Sequence, residues 1–392
     1  MLVTIFWIFV SIVLYTYLGY ALVIYFLAKF FPFKGANTQD IDPNDYPTLT
    51  LCIAAYNEAE VIPIKMENNL SLCYPKEKLK IIWVIDGSND NSEILLANYS
   101  DIEVLYRKER LGKTAAINHA MEVINSDIVV FTDANCLLSQ DSLLIIAKEF
   151  EDDTIGCVAG EKRIEFYKED GIASKGEGSY WLYESLLKRW DSIFYSAMGA
   201  AGELFAVRRT LFKPIPLDIL LDDFMISMDI LKQGYRIAYA PQAYAVERGS
   251  LNIEEEKKRK VRIAAGGWQS VWLLKFFLNF FKYGRLSFQY ISHRAVRWTI
   301  TPFALFLLFP LNIVIVLCSN GDQKLIYILL LVFQLFFYSL SFIGFLNRHR
   351  EHVSKIFFIP FYFVFMNYNA IEGLFYLMNR PKTAVWEKSK RK

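Results

Sequence analysis

The chain has 392 residues, of which 54% are hydrophobic and 16% aromatic, with a formal net charge of +2. So small a charge argues against nucleic acid as the main partner. The apolar excess lies at the two ends, while residues from about 45 to 260 read as a soluble α/β domain.

In chain order, Met1 to Ala28 carries no charged side chain and is long enough to span a bilayer as a helix. The missing basic n-region, the length of the run and the lack of a small-x-small site favour a retained anchor, residues 1–33, over a cleaved signal. Lys29 and Lys34 follow, and the positive-inside rule holds that end in the cytoplasm. In the domain, Leu49 to Ala55, Ile81 to Ile85 and Ile128 to Thr132 are apolar runs of strand length, and Glu103 to Tyr106 reads as a further strand. Helical spacing fills the intervals at Glu60 to Leu72, Asn91 to Asn98 and Lys113 to Ile124. Strands alternating with helices predict an α/β fold built on a mainly parallel sheet.

Tyr180 to Trp190 and Asp222 to Gln233 read as further amphipathic helices. Trp268 to Tyr283, broken by Lys275 and Lys282, suits a helix lying in the membrane interface, within a boundary region 261–297. Trp298 to Cys318, Leu325 to Leu346 and Ile356 to Met378 are each long enough to span, in a carboxyl-terminal region 298–392. The last carries Asn367, Asn369 and Glu372, which points to packing on other helices or a re-entrant path. The basic loop at 347–352 belongs in the cytoplasm, whereas the tail from Lys388 then falls outside, against the rule. Five scattered cysteines show no zinc spacing, and Cys52 and Cys157 read as core residues of a reducing compartment. None of the four histidines has a catalytic context.

Polar residues gather where the strands end. Asn57 and Glu58 close the first, Asp86 the second and Asp133 the fourth. A lone Asp after a strand is ordinarily a turn residue. Three such ends on one edge of a parallel sheet define a ligand site.

These residues sit in motifs that resemble the family 2 glycosyltransferases, across the middle domain and into the carboxyl-terminal membrane region. Ala54-Ala55-Tyr56-Asn57-Glu58 is similar to the family's loop beneath the nucleotide base. Ile85 to Ser92, IDGSNDNS, resembles the segment whose first acid, here Asp86, accepts from the uracil or ribose. Arg107 to Lys113, RKERLGK, matches the approach loop, with Lys113 touching the nucleotide. Thr132-Asp133-Ala134-Asn135 is a variant of the DxD motif, which holds Mg²⁺ or Mn²⁺ on the diphosphate. Its third residue, Asn135, offers only a neutral carbonyl oxygen.

Gly199 to Arg209 matches the family's GxxGxxxAxRR, where small residues such as Gly202, beside Glu203, let the chain approach the donor sugar. Leu221-Asp222-Asp223-Phe224 is similar to the motif whose second acid is the catalytic base, which implies Asp223 as base with Asp222 supporting it. Residues 259–263 stand in the place of the QxxRW motif of processive synthases. Arg262 is kept for the diphosphate, but Arg259 replaces Gln and Ile263 replaces Trp, which weakens the case for processivity. Lys257, Lys258 and Lys260 read equally as a basic run facing lipid headgroups. Trp268 falls in the acceptor neighbourhood.

The resemblance implies a GT-A nucleotide-sugar-binding fold with transmembrane helices at both ends, in the cell membrane with its catalytic domain cytoplasmic. It implies inverting transfer from a nucleotide-diphosphate sugar, UDP-linked by expectation, to a growing glycan or lipid-linked acceptor. A divalent cation is the cofactor and other membrane polysaccharide-assembly proteins are possible partners. A processive polysaccharide synthase is the alternative. From another class come a non-catalytic assembly subunit, which the joint presence of Asp86, Asp133, Asp222 and Asp223 opposes, and a transporter, which lacks paired discontinuous helices.

Overall fold

The computed structural model describes residues 1–35, 45–165, 172–320, 323–350 and 353–379. The charge-free amino-terminal run is a helix, α1 (Leu2–Phe30), with one π-helical turn at Tyr15–Gly19. Strand β1 (Leu49–Ala55) opens the domain, followed by α2 (Ile62–Leu70), β2 (Leu79–Asp86), α3 (Ser92–Leu96), β3 (Glu103–Arg107), α4 (Lys113–Val123) and β4 (Ile128–Asp133). These four strands lie in the order β3-β2-β1-β4 and run parallel. The inner strands β1, β2 and β4 are apolar on both faces, as a sheet covered on both sides requires, while the edge strand β3 is only partly buried. Leu49, Leu51 and Ile53 pack with Ile62 and Met66 of α2, and Cys52, Ile82 and Val84 with Ala116 and Ala120 of α4.

The second half holds β5 (Leu137–Leu138), α5 (Ser142–Glu149), β6 (Ile155–Glu165), α6 (Ile172–Phe194), β7 (Phe205–Arg208), α7 (Asp222–Lys232) and β8 (Arg236–Arg248). The full sheet order is β3-β2-β1-β4-β7-β6-β8-β5. The expected mainly parallel sheet holds in the first half and again where β6 pairs parallel with β8. Strand β7 runs antiparallel to β4 and β6, and β5 antiparallel to β8. Phe205 opens β7 opposite Phe131, near the carboxyl end of β4. The loop before β7 therefore lies on the edge where the parallel strands finish, and the strand has to run back.

Beyond the sheet come α8 (Ile253–Leu273), a helical stretch α9 at 285–298 with a π-helical part at Tyr290–Ala295, then α10 (Ile300–Cys318), α11 (Gln323–Leu346) and α12 (Lys355–Asn379). The expected single interfacial helix over Trp268–Tyr283 is not formed. Helix α8 ends at Leu273, single turns follow at Lys275–Leu278 and Phe280–Tyr283, and Gly284 turns the chain at φ 50°. Trp272, Leu278, Phe280 and Phe281 are still left exposed beside Lys275 and Lys282. Helix α8 also runs without a break through residue 260, where a domain boundary was expected.

Among the described residues α1, α10 and α11 are long and apolar enough to cross a membrane. Helix α12 packs along α8, with Gly373 against Ala264 and Ala265, and Asn367 accepting from the Tyr17 hydroxyl at 2.6 Å. The domain is tied to these helices through α6. The Tyr20 hydroxyl donates to Asp191 at 2.5 Å, and His293 lies between Asp191 and Glu184, at 2.5 and 3.2 Å. The carboxyl-terminal tail from residue 380 lies outside the described residues.

Candidate active site

The carboxyl ends of β1, β2 and β4 finish on one edge and carry the loops of the site. Asn57 adopts φ 53° and locks the first two loops together. Its Oδ1 accepts from the Asn89 amide at 2.9 Å, its own amide donates to Ser88 Oγ at 3.0 Å, and the Ala59 amide donates to Asp90 at 2.8 Å. Asp86, almost fully buried, accepts from the amides of Leu111 and Gly112 at 3.0 and 2.6 Å. It therefore fixes the RKERLGK loop, a role the sequence did not reveal. Gly87 has φ 70°, and a Cβ there would strike the Arg110 backbone. The Arg110 guanidinium stacks 3.7 Å above the Tyr56 ring. Ala54 pairs with Val84 and Asp133 across β1 and Glu58 follows at the loop, so the four nucleotide-loop residues Ala54, Tyr56, Glu58 and Asp86 share this edge.

Lys113 opens α4 and donates to Asp133 Oδ1 at 2.5 Å. Burial alone would lower its pKa. Asp133, then Asp222 and Asp223, outweigh that and hold the ammonium above its usual range. Gly202 makes this meeting possible, since a Cβ there would come within 2.9 Å of Lys113 Nζ and 3.2 Å of Asp223 Oδ2. Asp222 and Asp223 open α7, as expected. Burial pushes the Asp223 carboxyl up to about 7, with Asp222 adding to the rise and Lys113 opposing it. Asp222 Oδ2 is buried without a hydrogen-bond partner. From α8, Arg262 feels Asp222, Asp133 and Asp223, and burial lowers its pKa. The structure thus brings Lys113, Asp133, Gly202, Asp222, Asp223 and Arg262 together.

Three expectations change here. Asn135, expected at the metal through its carbonyl oxygen, turns its amide nitrogen to Glu247, donating to Oε1 at 3.1 Å. Trp268 is committed elsewhere, its indole N–H donating to the Ala370 carbonyl at 3.0 Å and its ring packing on Phe303. Lys260, read as part of a basic run facing headgroups, does not face them, nor does its neighbour Arg259. Both are buried, Arg259 paired with Glu177 and Glu256, and Lys260 3.4 Å from Glu256. Glu203 is bound to Lys162, which also holds Glu247 at 2.5 Å and Glu177 at 3.3 Å. Sequence reading missed Lys162, Glu247 and Gln269. Gln269 accepts from the Leu220 amide at 3.0 Å and donates to the Asp218 carbonyl at 2.9 Å, which steadies the approach to Asp222.

Asp133, Cys136 and Glu247 place one donor atom each within 4.8 Å of the others. Burial pushes the Cys136 thiol well above its usual range, so the hard oxygens of Asp133 and Glu247 are the donors suited to Mg²⁺ or Mn²⁺. Asp222, which acts with Asp133 on Lys113 and Arg262, adds a buried oxygen without a hydrogen-bond partner.

Acids gathered on the carboxyl edge of a mostly parallel sheet, with β7 returning antiparallel beside them, agree with a GT-A fold. Residues 50–215 match the model of glycosyl transferase family 2, and the chain carries a domain of that family. A poly-β-1,6-N-acetyl-D-glucosamine synthase of Staphylococcus aureus is 29% identical over 241 residues, 58% of this chain and 56% of the relative. The chain thus spans about half the length of that relative. The corresponding synthase of Staphylococcus epidermidis is 24% identical over 280 residues, 69% of this chain and 66% of the relative. A mannosyltransferase from Pyrobaculum calidifontis, solved with GDP-Man and Mn²⁺, shares the fold at a TM-score of 0.68 and 21% identity. That likeness covers 97% of this chain and 99% of the other.

Proposed function

We propose that the chain transfers a sugar, with inversion, from a nucleotide-diphosphate donor to a growing glycan or lipid-linked acceptor at the cytoplasmic membrane face. The observation that carries this reading is the meeting of Lys113, Asp133 and Asp223 around Gly202. Asp223 acts as the base. Its carboxylate takes the acceptor hydroxyl proton as that oxygen attacks the anomeric carbon, and the nucleoside diphosphate leaves. A single displacement needs one such carboxylate, and a carboxyl raised to about 7 is poised to take a proton near neutral pH. Asp222 keeps it raised.

Lys113 and Arg262 hold the diphosphate oxygens, and Asp86 sets the loop that delivers Lys113. Tyr56 under Arg110 forms a flat wall for the base. A divalent cation held by Asp133 would neutralise charge on the leaving diphosphate. The donor is UDP-linked in this reading. The named activity of the staphylococcal relatives favours a second reading, in which the product is a polymer rather than a single addition.

Lys29, Lys34 and the basic loop after α11 support a cytoplasmic catalytic domain. The exposed Trp272, Phe280 and Phe281 suit a surface resting on the bilayer, where a lipid-linked acceptor would be met. The test offers detergent-purified protein a panel of nucleotide sugars with Mg²⁺ or Mn²⁺ and follows nucleotide release. Metal-dependent release from one donor supports the transferase and names its sugar, and product length then separates single addition from polymerisation. No release from any donor, even with membrane extract supplying acceptors, would refute it.

A further inference from the structure

The DxD variant ends in an amide, and the geometry shows what that amide faces. Strand β5 follows the motif directly and pairs antiparallel with β8, Leu137 opposite Val246 and Leu138 opposite Ala245. One further step in that register sets Cys136 opposite Glu247, so a carboxylate from the far end of β8 arrives beside Asp133. Glu247 is 1% exposed. Its Oε1 accepts from Asn135 Nδ2 at 3.1 Å and its Oε2 from Lys162 Nζ at 2.5 Å, so both oxygens are fixed in direction. Its carboxylate and that of Asp133 lie within 4.8 Å, a separation that one bridging cation can close by small side-chain movements.

We propose that Glu247 supplies the second carboxylate of the divalent-cation site, and that Asn135 is its positioning residue rather than a ligand. This rests on the metal dependence proposed above. Acid and amide have exchanged places relative to a DxD motif. The charge that such a motif carries at its third position stands on β8, and the third position carries the amide that aims it. Lys162, shared between Glu247 and Glu203, gives the buried carboxylate a cationic partner that fixes its place.

The test titrates Mn²⁺ into the full-length detergent-purified protein in the presence of UDP, following the free-Mn²⁺ paramagnetic signal. Glu247→Gln is expected to weaken Mn²⁺ binding by at least about 10- to 100-fold, the range for losing a group that merely supports a ligand. Asn135→Asp with Glu247→Gln restores an acid and an amide in exchanged positions, and affinity is expected to return to within about threefold of wild type. Glu247→Asp keeps the charge but draws the carboxylate back by one methylene, lengthening its distance to Asp133. It is expected to weaken Mn²⁺ about tenfold with its thermal midpoint unchanged, which keeps the test decisive if the Gln variant folds poorly. Wild-type affinity in both Glu247→Gln and Glu247→Asp would overturn the proposal, as would a double variant no tighter than Glu247→Gln. A wild-type protein that ignores Mn²⁺ would refute the metal reading itself, and the proposal with it.

Discussion

At the scale of single residues, the site turns on how one carboxylate is kept from ionising early. Asp223 is raised to about 7 first by burial and then by Asp222, and only the ionised form can accept a proton. Turnover is therefore expected to rise with pH through a midpoint near 7 and level off above it, in a pH–rate profile at saturating donor. Asp222→Asn removes the neighbouring charge that raises Asp223, so the midpoint should move to lower pH. An unmoved midpoint would assign the titration to another group. Much of this was legible in the sequence, because Asp86, Lys113, Asp133, Asp222 and Asp223 stand in short motifs. Glu247 and Lys162 were not. Each lies in a strand with no local motif, and only the β5–β8 and β6–β8 pairings bring them beneath Asn135 and Glu203.

At the scale of elements, α8 links the membrane region to the site. One stretch of it carries Arg262, and a further turn carries Gln269, which braces the loop before Asp222. Its partner α12 can come this close because Gly373 has no side chain, a Cβ there meeting the Ala264 Cβ at 2.5 Å. Gly373→Val should force the helices apart, lowering stability by about 1–3 kcal/mol as an overpacked contact does. Thermal unfolding in detergent checks the loss, and turnover should fall with it because Arg262 and Gln269 shift. The amphipathic signal of this region was visible in the sequence, but its direction was misread. Lys260 looked like part of a face for lipid headgroups, yet it is buried against Glu256, and its neighbour Arg259 is paired with Glu177, about eighty positions earlier on α6. Likewise, the antiparallel return of β7 depends on which edge its loop occupies, and strand periodicity carries no such information.

At the scale of the whole molecule, the glycosyltransferase domain is clasped by apolar helices from both ends of the chain. Tyr20 of α1 reaches Asp191, Thr16 meets Thr301 of α10 at 2.8 Å, and Phe6 packs with Leu308 and Tyr327. The proposed topology makes a prediction with two native thiols, Cys73 on the domain and Cys318 at the end of α10, both exposed. A membrane-impermeant maleimide applied to intact cells should label Cys318 and spare Cys73 until the membrane is opened. Labelling of Cys73 on intact cells would invert the topology. The central claim, that Asp223 is the base of a sugar transfer, is tested most directly by Asp223→Asn. Donor binding and turnover are measured side by side on the same preparation. Donor affinity within about threefold of wild type with turnover down about 10²- to 10⁴-fold is the predicted result. Turnover that survives within a few-fold would contradict the account, because the proton would then be leaving by another route.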